Sequence, residues 1–211
     1  MAWFLSNIRY VAWTSLAVAV LFLIYFAVGV AGFNFGDPAF RESALRWSHV
    51  LVAIMWIGHL YYFNFTQIPN APKIPEEHRG PAVAKVIAPA ALYWFRWGAM
   101  LTLITGVALA GNQGYLVQAL TLGALDDPSF AAPKTIFIGI GMWLAIIMWF
   151  NVWFIIWPNQ QKALNIDNKY PNLDAAAKAA SAKTAMLFSR TNTFLSAPML
   201  VAMTGASTLF G

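Results

Sequence analysis

Hydrophobic positions in this chain come in long runs rather than in alternation with polar ones. Five runs are long enough for a bilayer crossing, at about 20 residues each. They cover about 10–32, 44–67, 92–110, 135–157 and 191–209. This pattern predicts an all-α integral membrane protein, one bundle of about five transmembrane helices that takes in residues 1–211 as a single domain. The first run is too long for the apolar core of a signal peptide and is expected to stay in place as an anchor.

The polar positions that interrupt these runs are the informative ones. The second run reads RWSHVLVAIMWIGHLYYFNFTQIP, from Arg46 to Pro69. At about 100° per residue, Arg46, His49, Ala53, Trp56, Leu60 and Asn64 share a stripe about 80° wide. His59 lies about 80° round from His49 and about 15 Å farther along the axis, so the two are separate sites. His49, His59 and Trp56 are therefore candidate cofactor-binding residues, for a haem b or a chlorin held through a single histidine, the second ligand coming from Met, water or a neighbour. The competing reading is that each histidine hydrogen-bonds across a helix interface. Arg46 is expected to extend toward the outer interface.

A second polar set falls at the opposite ends of the spans. Asn64 and Gln67 close the second, Arg96 opens the third, Asn151, Asn159, Gln160 and Gln161 close the fourth, and Arg190 and Asn192 open the fifth. Tyr93, Trp94, Trp97, Trp153 and Trp157 accompany them. Arginine pairing and aromatic stacking suit a planar, hydrogen-bonding anion. Arg96, Asn151, Asn159, Gln160, Arg190 and Asn192 are accordingly candidate substrate-binding residues, although a polar and aromatic girdle is also expected at any membrane interface.

Composition sharpens this picture. Hydrophobic residues make up 60% and charged ones 10%, with a mean hydropathy of +0.60, far from the balance of a soluble domain. The 13 Lys and Arg fix an orientation. Arg9, Lys73, Arg79, Lys85, Arg96, Lys162, Lys169, Lys178, Lys183 and Arg190 fall on one side, and Arg41, Arg46 and Lys134 on the other. The positive-inside rule predicts a cytoplasmic N-terminus and a C-terminus on the opposite, outer side. The formal charge of +5 sits beside apolar spans, so it speaks for lipid contact and not for nucleic acid. The absence of cysteine excludes disulfides, thiolate metal sites, iron–sulfur clusters and covalent c-type haem attachment.

The loops differ in kind. Pro69, Pro72, Pro75, Pro81 and Pro89 predict irregular backbone after the second span. The segment GNQGYLVQALTLGALDDPSFAAPK predicts a short interfacial helix, with room for a re-entrant piece. From Leu173 to Arg190 an alanine-rich stretch predicts a helix capped by Asn172 and continuous with the last span. Gly98, Thr102 and Gly106 form a small-residue stripe suited to close helix packing.

The runs RWSHVLVAIMWIG, LYWFRWGAMLTLITGVALAG, NVWFIIWPNQQKAL and SRTNTFLSAPML, taken in order, resemble the membrane domain of the bacterial membrane-bound urate oxidase (urate hydroxylase) family. The likeness extends from Arg46 to about Gly205. Its matching positions are Arg46, His49, Trp56 and Gly58, then Trp94, Phe95 and Trp97, then Trp157, Pro158, Asn159 and Gln160, and finally Arg190 and Asn192. The resemblance implies a helical membrane domain that, in full-length members, precedes a c-type cytochrome domain and is linked to urate hydroxylation. It also implies that the membrane is a bacterial inner one, with a periplasmic C-terminus. This chain departs from it as a short form with no Cys-x-x-Cys-His.

Two functions follow as expectations. One is an accessory helical subunit of a membrane redox, electron-transfer or photosynthetic complex, its partners being the bilayer and other membrane subunits or a c-type cytochrome. The other is a urate hydroxylase-like oxidoreductase that passes electrons to a separate c-type cytochrome. All eight acids are expected in loops, which leaves no intramembrane general base and favours the subunit. Transport is weaker, because no paired broken helices with acidic midplane sites are visible.

Overall fold

A computed structural model of the protein describes residues 2–125 and 133–210. Every regular element among the described residues is helical. The chain divides into two compact units, Met1–Trp47 and Ser48–Gly211.

In the first unit a short turn, α1 (Ala2–Leu5), precedes α2 (Ile8–Ile24), which continues as π turns over Tyr25–Val30. Asn7 caps α2 by accepting a hydrogen bond from the Arg9 amide at 3.0 Å. No residue of α2 is buried, and its apolar side chains point to every side, as expected of a helix whose surroundings are lipid. A following helix, α3 (Pro38–Tyr61), starts on a proline, whose missing N–H costs nothing at a first helical position. Glu42 lies on α3 and pairs with Arg46 one turn on. That corrects the expectation that every acid sits in a loop, and it gives Arg46 a carboxylate partner.

The second unit holds the packed core. It begins within α3, which runs on as π turns over Tyr62–Gln67. The proline-rich stretch that follows is helical rather than irregular, with the only extended residues at Ile74 and Pro75. The reason is positional. Pro69 and Pro72 each fall in the first turn of a short helical piece, Pro89 falls in the first turn of the long helix Ala88–Asn112, and Pro75 precedes another short piece, where no amide donor is needed. Pro81 sits inside π turns over Arg79–Ile87.

The remaining helices are α4 (Ala88–Asn112), α5 (Leu116–Leu120), α6 (Pro133–Phe150), α7 (Trp157–Leu164) and α8 (Ala175–Leu209), with π turns Asn151–Ile156 joining α6 to α7. Asn165, in the left-handed conformation that asparagine tolerates, ends α7. A short helix does form in the expected loop as α5, while residues 126–132 of that loop lie outside the described residues. The alanine-rich segment and the last run do form one helix. Its cap is Asp174, which accepts from the Ala177 amide at 2.7 Å, and not Asn172, because helical geometry starts two residues later than the propensities suggested.

Among the described residues, three helices are long and apolar enough to cross a membrane: Ile8–Val30, Glu76–Asn112 and Pro133–Leu164. The segments expected at 44–67 and 191–209 are helical as well, but their polar residues dilute the hydropathy.

Close approach sets the packing of this unit. Gly98 lets the backbone of Trp56 come within 3.1 Å of where a Cβ would stand, and Gly106 accepts the edge of the His49 ring at 2.9 Å. The small-residue stripe therefore does mediate close helix packing, as expected, and the helix it meets is α3. The tightest contact is elsewhere. A Cβ at Gly139 of α6 would lie 2.2 Å from the Ala119 carbonyl oxygen of α5, with Leu122 also in the way. Gly139→Ala is expected to displace α5 and to lower stability by about 1–3 kcal/mol, read as a lower unfolding temperature in detergent. Gly58→Ala, with nothing within 4 Å, serves as the neutral control.

Candidate functional site

The inner face of α8 is where polarity is buried. Ser181, Ala185, Ser189, Asn192, Ser196, Met199, Ala202 and Ala206 form its buried stripe, at spacings of three and four that keep them on one side. Three of its polar members bond to other helices. Tyr61 and Ser196 share a hydroxyl–hydroxyl bond of 2.9 Å, and Ser189 accepts from the Asn64 Nδ2 at 2.8 Å. Asn192, fully buried, accepts from Asn151 at 2.8 Å and donates to the Met148 carbonyl at 2.9 Å. The side-chain oxygen of Asn192 is thus engaged with the start of the segment that joins α6 to α7, and its nitrogen with the end of α6.

Beside this stripe lies a cavity of about 50 Å³, lined by Phe63, Gln67, Leu92, Phe95, Gln160 and Ser189 among others. It has room for a few water molecules, far below the hundreds of cubic ångströms that enclose a ring-sized ligand. The Gln67 Oε1 is buried without a hydrogen-bond partner, as is the Asn64 Oδ1.

The predicted substrate residues do not converge on this cavity. Gln160 lines it, whereas Asn159 donates to the Ile155 carbonyl of its own helix at 2.8 Å. Asn151 and Asn192 are spent on each other. Arg190 is exposed on the outer side of α8. Arg96 is held apart, its guanidinium carbon 3.8 Å from the centre of the Trp157 ring, 5.2 Å from Trp153 and 5.9 Å from Trp97.

The two histidines are separate, as helical geometry required. His49 reaches across to α4, with Nδ1 3.0 Å from Thr105 Oγ1. The Thr105 hydroxyl points its own hydrogen at the Leu101 carbonyl, 2.7 Å away, so His49 is the donor in this pair. That interhelical bond and the fit against Gly106 pack His49 against α4. His59 is half-buried and donates from Nδ1 to the Met55 carbonyl at 2.7 Å, an arrangement that fixes the tautomer and leaves Nε2 as the basic nitrogen. Trp56 is buried against Gly98 in the core, and its Nε1 has no hydrogen-bond partner. Among the described residues no group of three metal-ligating side chains gathers.

Sequence reasoning missed Ser189, Ser196 and Tyr61 as polar partners, because serine and tyrosine at helix positions carry no signal of burial. The spacing from Ser181 to Ala206 on an alanine-rich helix was the available clue. Replacing Asn192 by Leu strands Asn151 and the Met148 carbonyl and should cost about 1–3 kcal/mol in a detergent unfolding titration. The double replacement of Asn151 and Asn192 by Leu should cost less than the sum of the single changes, and strict additivity would show that the pair is not coupled.

No curated protein and no solved structure matches the chain. A family model described as urate oxidase N-terminal matches residues 115–208. That range contains the motifs NVWFIIWPNQQKAL and SRTNTFLSAPML, while RWSHVLVAIMWIG and LYWFRWGAMLTLITGVALAG lie before it. Residues 115–208 of this helical, membrane-compatible protein, which include the Asn151–Asn192 pair, are thus similar to the urate oxidase N-terminal family.

Proposed function

We propose that this protein is a multi-pass helical subunit of a bacterial inner membrane, accessory to a redox or electron-transfer assembly of the urate hydroxylase type. Five crossings with a cytoplasmic N-terminus accommodate its charge bias, and the surrounding bilayer, other membrane subunits or a c-type cytochrome would be its partners. One observation carries the reading. The polar side chains most suited to holding a substrate, Asn151, Asn159 and Asn192, are consumed by helix-to-helix and helix-to-backbone hydrogen bonds, and the cavity beside them measures about 50 Å³. A polar interior arranged in this way supports a scaffold.

A haem b or a chlorin would be held through His59 rather than His49, because His59 presents a basic Nε2 with its tautomer fixed by a backbone carbonyl. Such a group would supply one-electron chemistry or light absorption, and the chain's contribution would be ligation and burial of the ring beside aromatic side chains.

The second reading is a urate hydroxylase-like oxidoreductase that passes electrons to a separate c-type cytochrome. The family match and the caged cation Arg96 favour it. The two readings separate on purification from the native membrane under mild conditions. The subunit reading expects large co-purifying partners by mass spectrometry and no urate-dependent reduction of added cytochrome c. Urate-dependent reduction by the isolated protein would overturn it. If a reduced-minus-oxidised spectrum shows a haem band, His59→Ala should abolish the band and His49→Ala should leave it.

A further inference from the structure

The arrangement around Arg96 is unlike that of any other cation among the described residues. Its guanidinium carbon sits 3.8 Å from the centre of the Trp157 ring, with Trp153 and Trp97 at 5.2 and 5.9 Å, and Trp97 and Trp153 meet edge-to-face at 5.6 Å. The Nε is buried and has no hydrogen-bond partner among the described residues, and the side chain as a whole keeps part of its surface open. Among those same residues no carboxylate forms an ion pair with Arg96. Asp167 is within electrostatic range but is exposed.

Tryptophan faces stabilise a guanidinium from above and fix its plane, yet they leave its in-plane N–H donors unused. A cation immobilised in this way presents its donor edge to one kind of partner, an oxyanion that accepts two parallel hydrogen bonds. The surroundings indicate the depth. Tyr93, Trp94 and Trp97 are each 39% or more exposed, and tryptophan and tyrosine concentrate at the level of lipid headgroups. A charge in a largely apolar helix also calls for a counterion.

We infer that Arg96, framed by Trp97, Trp153 and Trp157, is a binding site for a phosphate-class oxyanion at the membrane interface, supplied by the headgroup of an anionic phospholipid or by free phosphate. The site is distinct from the cavity beside Ser189 and does not depend on the chain's part in a redox assembly. Asp167 opposes the anion by charge and tunes the affinity of the site.

The test uses the full chain in detergent. Native mass spectrometry with phosphatidylglycerol reads lipid adducts, and tryptophan fluorescence follows titration with inorganic phosphate. Wild type should retain at least one phosphatidylglycerol, in preference to phosphatidylcholine. Arg96→Gln should weaken this by tenfold or more, Arg96→Lys should fall between because the ammonium lacks the planar fork, and Asp167→Asn should tighten it. Binding of the phospholipid alone assigns the headgroup as the source, and binding of both ligands assigns a general oxyanion site. Equal binding by wild type and Arg96→Gln, or no response to Asp167→Asn in a protein of unchanged helicity, would overturn the proposal.

Discussion

The buried hydrogen bonds between α8 and the Met148–Asn151 segment organise the second unit of this protein. In a bilayer, apolar faces do not drive helices together, since lipid chains satisfy them as well as another helix does. Association there rests on close packing and interhelical hydrogen bonds. Asn192 supplies such bonds to Asn151 and to the Met148 carbonyl, and Ser189 and Ser196 extend the seam to Asn64 and Tyr61. The helix that carries this seam therefore has a single register against its neighbours. A shift by one residue would leave buried amides without partners.

Glycine complements the seam by controlling distance. Gly98 and Gly106 of α4 bring that helix onto Trp56 and His49, and Gly141 of α6 faces Ala202 and Met203 of α8, where a Cβ would come within 3.0 Å. Small residues at the contacts and amides along the seam explain how a unit with few charges packs specifically. They also explain why its interior has little space to spare. The same residues that look like a ligand site when read as isolated polar groups serve here to hold helices together.

Arg96 stands outside this scheme. Its ring neighbours are tryptophans, and its Nε is buried without a hydrogen-bond partner among the described residues, which is the basis of the anion site proposed above. Structural polarity, in the form of the Asn and Ser seam, and the caged Arg96 thus rest on different residues of the same unit. The family likeness over residues 115–208 takes in Asn151, Ser189, Asn192 and Ser196 of the seam and the cage residues Trp153 and Trp157, but not Tyr61, Asn64, Trp97 or Arg96.

By itself the sequence determined the helical class and the long apolar runs, because the run lengths and the 3.6-residue periodicity are local properties of the chain. It also determined the separation of His49 from His59, which follows from helical rise alone, and the close approach at Gly98 and Gly106. The caps and prolines were legible only in part. Asp174 displaced Asn172 as the cap, and the proline-rich stretch stayed helical because its prolines fall at the starts of turns. Only the tertiary structure decided which polar residues meet, since a hydrogen bond between Asn151 and Asn192 or between Tyr61 and Ser196 depends on the rotation of one helix about its axis against another. That rotation is set by packing and by the π turns at Tyr62–Gln67 and Asn151–Ile156, each of which inserts a residue and turns the following side chains to a new face.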